Sequence, residues 1–122
     1  MLRIIDTSQF NVKLKATIQK TGRLGFTDET SRALKLSTET YARFALDDEE
    51  EDSLFLVLSE VEDANSFRVN KSGQYYYLPT KLMFDAFGYD YKAGVIMFDL
   101  VRKSDYDATL LGRVYKLKRK EK

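Results

Sequence analysis

Ala16-Thr17-Ile18-Gln19-Lys20-Thr21-Gly22-Arg23-Leu24-Gly25-Phe26 aligns without a gap, at an offset of 51, with Phe67-Arg68-Val69-Asn70-Lys71-Ser72-Gly73-Gln74-Tyr75-Tyr76-Tyr77. Both stretches read apolar, polar, apolar, amide, lysine, hydroxyl, glycine and a long polar side chain, then turn apolar or aromatic. Upstream, Val12, Leu14, Ala16 and Ile18 alternate with Lys13, Lys15, Thr17 and Gln19, the period of two of a half-buried strand. Glycine at the centre of each stretch suits a backbone with positive φ, so each predicts a tight turn between two strands.

Downstream, each stretch continues in the same order. Asp28 to Leu36 reads as a helix with Thr27 or Asp28 as N-cap, and 41–46 and 53–59 read as strands. In the second copy Pro79 suits the first helical position, Leu82, Met83, Ala86 and Phe87 give the helix its apolar face, and Gly88 is placed to end it. Strands are expected again over 95–101 and 110–117. The sequence therefore predicts a mostly β, α+β fold. Two tandem β-turn-β-α-β-β units, near 12–60 and 66–118, pack as a pseudo-twofold single domain over 1–122. The joint Glu62-Asp63-Ala64-Asn65 is too short for a flexible linker, and units of this size bury too little alone, so a shared core is expected.

Composition narrows the chemistry. The chain has 122 residues, no cysteine and no histidine. Zinc-thiolate sites and disulfides are excluded, and so are Ser-His and Cys-His nucleophile pairs. Carboxylate or lysine chemistry stays open, but no spacing points to it; no enzyme and no cofactor is expected. The longest apolar run, Leu54-Phe55-Leu56-Val57-Leu58, is far too short to span a bilayer. Met1 to Asp6 carries no export-signal pattern. A cytoplasmic protein with no membrane contact is the expectation.

A net charge of +1 conceals an asymmetry. Lys116 to Lys122 carries five cations and one carboxylate, net +4, which leaves −3 for the other 115 residues. Most of that acidity is the run from Asp47 to Asp52, six carboxylates in sequence. Without the glycine and ligand order of a calcium loop, the run reads as a solvated hairpin loop.

Lys20-Thr21-Gly22-Arg23-Leu24-Gly25-Phe26-Thr27, followed by Arg32 and Leu34, resembles the swapped-hairpin DNA-binding domain of the AbrB, SpoVT and MazE type. The second copy resembles it through Lys71-Ser72-Gly73-Gln74, Pro79 and Phe87-Gly88, and two such units in one chain resemble the MraZ arrangement. The resemblance covers roughly 20 residues per copy and implies DNA binding and transcriptional regulation. Thr27 stands where the family has proline, Gln74 where it has arginine, and the second helix has no arginine, so the second copy is the weaker DNA-contacting unit.

Independently of that resemblance, Lys13 and Lys15 share one strand face and Lys20 and Arg23 flank the turn. This group suits phosphate contacts, with Arg23 able to bind in bidentate fashion; equally, lysines protect the solvent face of a sheet. With Arg32 and Lys71 carried over from the resemblance, the candidate nucleic-acid residues are Lys13, Lys15, Lys20, Arg23, Arg32 and Lys71. Alternation puts Tyr75 and Tyr77 on one face and Tyr76 on the other, for stacking unpaired bases or for packing. Three readings follow: a DNA-binding regulator or accessory protein, a protein-interaction or homo-oligomeric structural module, and a single-stranded nucleic-acid binder using the tyrosines.

Overall fold

The computed structural model describes residues 1–5, 13–47 and 49–120, without the side chains of 50–52. Val12, Asp48, Glu121 and Lys122 are therefore outside the described residues, and with them the start of the expected first strand, part of the acidic run and the end of the basic tail.

The alternation around Ala16 forms β1 (Lys15–Ile18), with Ala16 and Ile18 buried. It returns as β2 (Leu24–Phe26). Gly22 N–H donates to Gln19 O at 2.8 Å and Gln19 N–H to Arg23 O at 2.9 Å, which leaves Lys20-Thr21-Gly22 as a three-residue loop. Gly22 sits at φ 85°, and a Cβ there would lie 2.7 Å from Lys81 Cγ, so both conformation and packing require glycine.

The second copy departs from the gapless alignment here. Its first strand is interrupted at Val69 into β5 (Phe67–Arg68) and β6 (Asn70–Ser72), and β6 runs through Lys71 and Ser72. Ser72 pairs directly with Tyr75, so the turn is the two-residue Gly73-Gln74, with Gly73 at φ 61° in the first central position that type II′ hairpins favour. The two turns thus differ in length and geometry. Glycine at the same place in each sequence does not settle which neighbours join the ladder; strand pairing does.

Past the hairpins the two stretches share a helix hydrogen-bonding pattern. Thr27 caps α1 (Asp28–Ala33) by accepting the Thr30 N–H. After β3 (Tyr41–Asp47), β4 (Glu50–Ser59) and β7 (Tyr75–Leu78) comes α2 (Lys81–Ala86), whose N-cap is Thr80. Pro79 precedes the cap and does not start the helix. In α1 the bonds Ser31→Thr27, Leu34→Thr30, Lys35→Arg32 and Leu36→Ser31 recur in α2 as Phe84→Thr80, Phe87→Met83, Gly88→Asp85 and Tyr89→Phe84, all at an offset of 53. Each helix ends through a positive-φ residue, Lys35 at 55° and Gly88 at 77°, the C-terminal turn that satisfies the last carbonyls. Gly88 ends its helix as expected, whereas the first helix stops at Ala33, short of Leu36. The apolar face of α2 is also corrected: Phe84 is fully buried, while Leu82 is 82% and Phe87 49% exposed.

The remaining elements are β8 (Ile96–Arg102), a 3-10 turn (Ser104–Tyr106), α3 (Asp107–Leu110) and β9 (Arg113–Arg119). Leu110, expected in the last strand, ends α3 instead; Arg102 grips Asp107 at 2.6 Å and the Val114 N–H donates to the same carboxylate at 3.1 Å.

The nine strands among the described residues form one antiparallel sheet in the order β5-β3-β4-β9-β8-β1-β2-β7-β6. The two ends of that order are consecutive pieces of one stretch, and the Val69 N–H between them donates to Thr40 O at 2.9 Å. The sheet is therefore nearly closed into a barrel, which removes the edges an open sheet would expose. Its inside is one apolar cluster including Ile18, Leu24, Leu56, Leu78, Phe84 and Phe98. The cap of α2 is tied to the first hairpin: Thr80 Oγ1 accepts the Leu24 N–H at 3.1 Å and donates to Gly22 O at 3.0 Å, fully buried. Among the described residues no helix is long and apolar enough to cross a membrane.

Candidate functional site

Directly paired residues in a sheet point to the same side, so the ladder registers define the outer face. On β1 and β8, Lys15 pairs with Asp99 and Thr17 with Met97; on β8 and β9, Asp99 pairs with Lys118 and Val101 with Lys116. The Lys120 N–H donates to Met97 O at 2.8 Å, and Leu100 N–H to Leu14 O at 2.9 Å, extending both ladders by a bond. Lys13 consequently falls on the Lys15 side, next to Val101. Outside the barrel, Lys13 and Lys15 on one flank and Lys116, Lys118 and Lys120 on the other enclose β8, where Asp99 is the carboxylate between them. Strands are spaced about 4.8 Å apart and residues i and i+2 about 6.8 Å apart, so this is a dense array of positive charge.

The same face continues across β2 and β7. Thr17 pairs with Gly25 and Gly25 with Tyr77. Tyr75 and Tyr77 stack with ring centres 5.9 Å apart and planes 19° apart, and the Arg23 guanidinium lies 4.3 Å from the Tyr77 ring centre. Gln19 Nε2 donates to the Tyr75 hydroxyl. Gly25 makes room for that phenol: a Cβ on it would lie 1.5 Å from the Tyr75 oxygen. Burial pushes the Tyr75 phenol above its ordinary pKa, with Arg23 opposing and Tyr77 adding to the rise. It is thus a neutral hydroxyl at physiological pH.

Of the residues singled out in the sequence, the structure brings Lys13, Lys15 and Arg23 onto this face, with exposed Lys20 in the loop at its end. Arg32 is elsewhere, on α1, paired with Asp28 at 3.0 Å and exposed. Lys71 is on the other side of its strand, paired with Tyr76 in the ladder, its Nζ 5.4 Å from that ring; Tyr76 packs on the core. Tyr75 and Tyr77 share a face and Tyr76 takes the other, as alternation requires.

Gln19, Gly25 and Asp99 were not singled out in the sequence, which left open whether the C-terminal lysines share a face with Lys13 and Lys15; Lys116 and Lys118 lie on β9, one strand beyond β8. A strand over 110–117 was legible in the sequence; its neighbour was not. Among the described residues no cluster of three or more acidic side chains is arranged to hold a metal ion. Comparison with protein-family models, with curated proteins and with solved structures found no match.

Proposed function

We propose that this protein is a non-catalytic nucleic-acid-binding regulator or accessory protein, and that it binds on the outer face spanning β9, β8, β1, β2 and β7. The observation that carries the reading is the pairing of Lys15 with Asp99 and of Asp99 with Lys118. It sets cations from opposite ends of the chain on one surface, and phosphate contact draws on such arrays through release of condensed counterions. Lys20 and Arg23 extend the array past the turn. The AbrB-type resemblance supports DNA as the ligand, with the Lys20-to-Arg23 turn as its phosphate-contacting loop. The recurrence of helix bonding at an offset of 53 supports a tandem pair of related units, whose hairpins have since diverged.

A second reading, single-stranded binding, is favoured by the Tyr75–Tyr77 stack on the same face. Half-buried aromatics beside a basic face suit unpaired bases; a duplex offers them nothing to stack on.

The test is a salt series of binding to duplex and single-stranded oligonucleotides. Replacing Lys15 and Lys118 with alanine is expected to reduce the slope of log K against log salt by about two and weaken binding to all sequences alike. The melting temperature should hardly move, because exposed charges add little to folding. Tyr77→Ala should weaken single-stranded binding and leave duplex binding unchanged. No binding at low salt, or binding indifferent to the lysine replacements, rejects the proposal.

A further inference from the structure

A second feature adjoins the lysine face on the barrel exterior, where Phe55 pairs with Lys116. Phe55, Val57 and Val114 form a small apolar cluster on the outside of β4 and β9, joined by Ala45 and Leu110. The segment Ser104–Leu110 lies over it, and Tyr106 meets Phe55 edge-on at 5.8 Å between ring centres. The cover is incomplete. An open groove of about 380 Å³ remains, walled by Ala45, Phe55, Tyr106 and Leu110 and rimmed by Asp47 and Glu49. Leu46, also on its wall, is 56% exposed.

The chain also has an exposed apolar segment at residues 1–5. In Met1–Ile5, Met1, Leu2, Ile4 and Ile5 are all exposed, Ile4 at 96%. Large exposed apolar side chains next to each other mark an interaction surface, and Arg3 stands among them. Groove and segment complement each other in both respects: apolar walls with an acidic rim, and aliphatic side chains with one cation.

We propose that the segment Met1–Ile5 of one copy docks in this groove on a second copy. An extended segment puts Leu2 and Ile4 on one side, into the groove, and Arg3 on the other, from which its long side chain can bend back to the carboxylates of Asp47 and Glu49. The volume is at the lower end for binding pockets and suits a pair of aliphatic side chains. The contact joins different patches on the two copies; exchanged reciprocally it closes a dimer, and unreciprocated it propagates as a chain.

The test is sedimentation of the full chain over a concentration series in the absence of nucleic acid. Wild type is expected to associate reversibly. Ile4→Asp, which damages only the segment, and Tyr106→Lys, which damages only the groove, should each weaken association at least tenfold. Both residues are exposed, so melting temperatures serve as the folding control. An equimolar mixture of the two variants should form a one-to-one heterodimer, because an intact segment then meets an intact groove. A wild-type chain that stays monomeric at the highest concentration overturns the proposal, as does association indifferent to Ile4→Asp. A monomer whose residues 2–5 are protected from hydrogen exchange also overturns it, since the segment would then occupy its own groove. None of these outcomes depends on whether the lysine face binds nucleic acid.

Discussion

α1 and α2 have the same backbone bonding and nearly opposite side chains. At the offset of 53 that aligns their bonds, Ser31 stands where α2 has Phe84, Lys35 where it has Gly88, and the pair Asp28–Arg32 where it has Lys81–Asp85. Caps and C-terminal turns are local and tolerate such changes; the side chain turned inward is set by what the barrel has room for. Just past α1, Leu34 and Leu36 enter the core beside Ser31, while in α2 Phe84 is fully buried and Met83, with Tyr89 after the helix, packs against the same core. The ion pairs differ in quality. Asp28 before Arg32 agrees with the helix dipole, and Lys81 before Asp85 opposes it. The hydroxyl of Tyr91, which donates to Asp85, compensates the second arrangement.

The sharpest way to break this comparison is at the inward residue. Phe84→Ala removes a fully buried ring and is expected to cost about 3–5 kcal/mol by denaturant melts. Ser31→Ala should be neutral or slightly stabilising, because the buried Ser31 hydroxyl has no hydrogen-bond partner among the described residues and its burial is uncompensated. Equal costs at the two sites would mean that the helices meet the core in the same way.

The hairpins predict a smaller contrast. Gly22→Ala meets both a positive φ and the Lys81 side chain at 2.7 Å, whereas Gly73→Ala meets the positive φ with open space around it. A left-handed alanine costs about 1–2 kcal/mol. Gly73→Ala should show about that loss, and Gly22→Ala measurably more. If the two agree, Lys81 yields freely and the loop is not clamped to α2.

The smallest effect is electrostatic. Hydrogen bonds from Lys81 and Tyr91 hold the Asp85 carboxyl below its ordinary range, and the same bond to Asp85 raises the Tyr91 phenol. A depressed carboxylate contributes stability that is present above the unfolded value near about 4 and is lost as pH falls through the folded value. A raised phenol contributes below about 10 and loses its contribution as pH rises through its folded value. Asp85→Asn should therefore flatten both the acid and the alkaline limb of the melting temperature against pH. Arg32→Ala, at an exposed pair in α1, should alter stability by no more than about 0.5 kcal/mol.

What could be read before folding was local. Alternation over residues 12–19, the apolar run 54–58, the glycines at the turns, a cap at Thr27 or Asp28 and Gly88 as terminator all act within a few residues, so composition and spacing were enough to identify them. The face shared by Tyr75 and Tyr77 belongs to this class, because a strand's period of two needs no partner.

Pairing decided the rest. The turn at Gly73-Gln74, the break at Val69 and the diversion of Leu110 into α3 depend on which strand lies alongside, and ladder bonds form between residues far apart in sequence. The same holds for the candidate site. Lys13, Lys15, Lys20 and Arg23 were readable as a group, but their company was not: Asp99 and Lys118 reach Lys15 only because β8 lies between β1 and β9. Arg32 and Lys71 left the group for the same reason, one carried off by a helix and the other turned to the opposite side of its strand. Charge type and spacing are properties of the chain, whereas the field a ligand meets is a property of the folded sheet, since its strand order sets the first strand and the last on either side of β8.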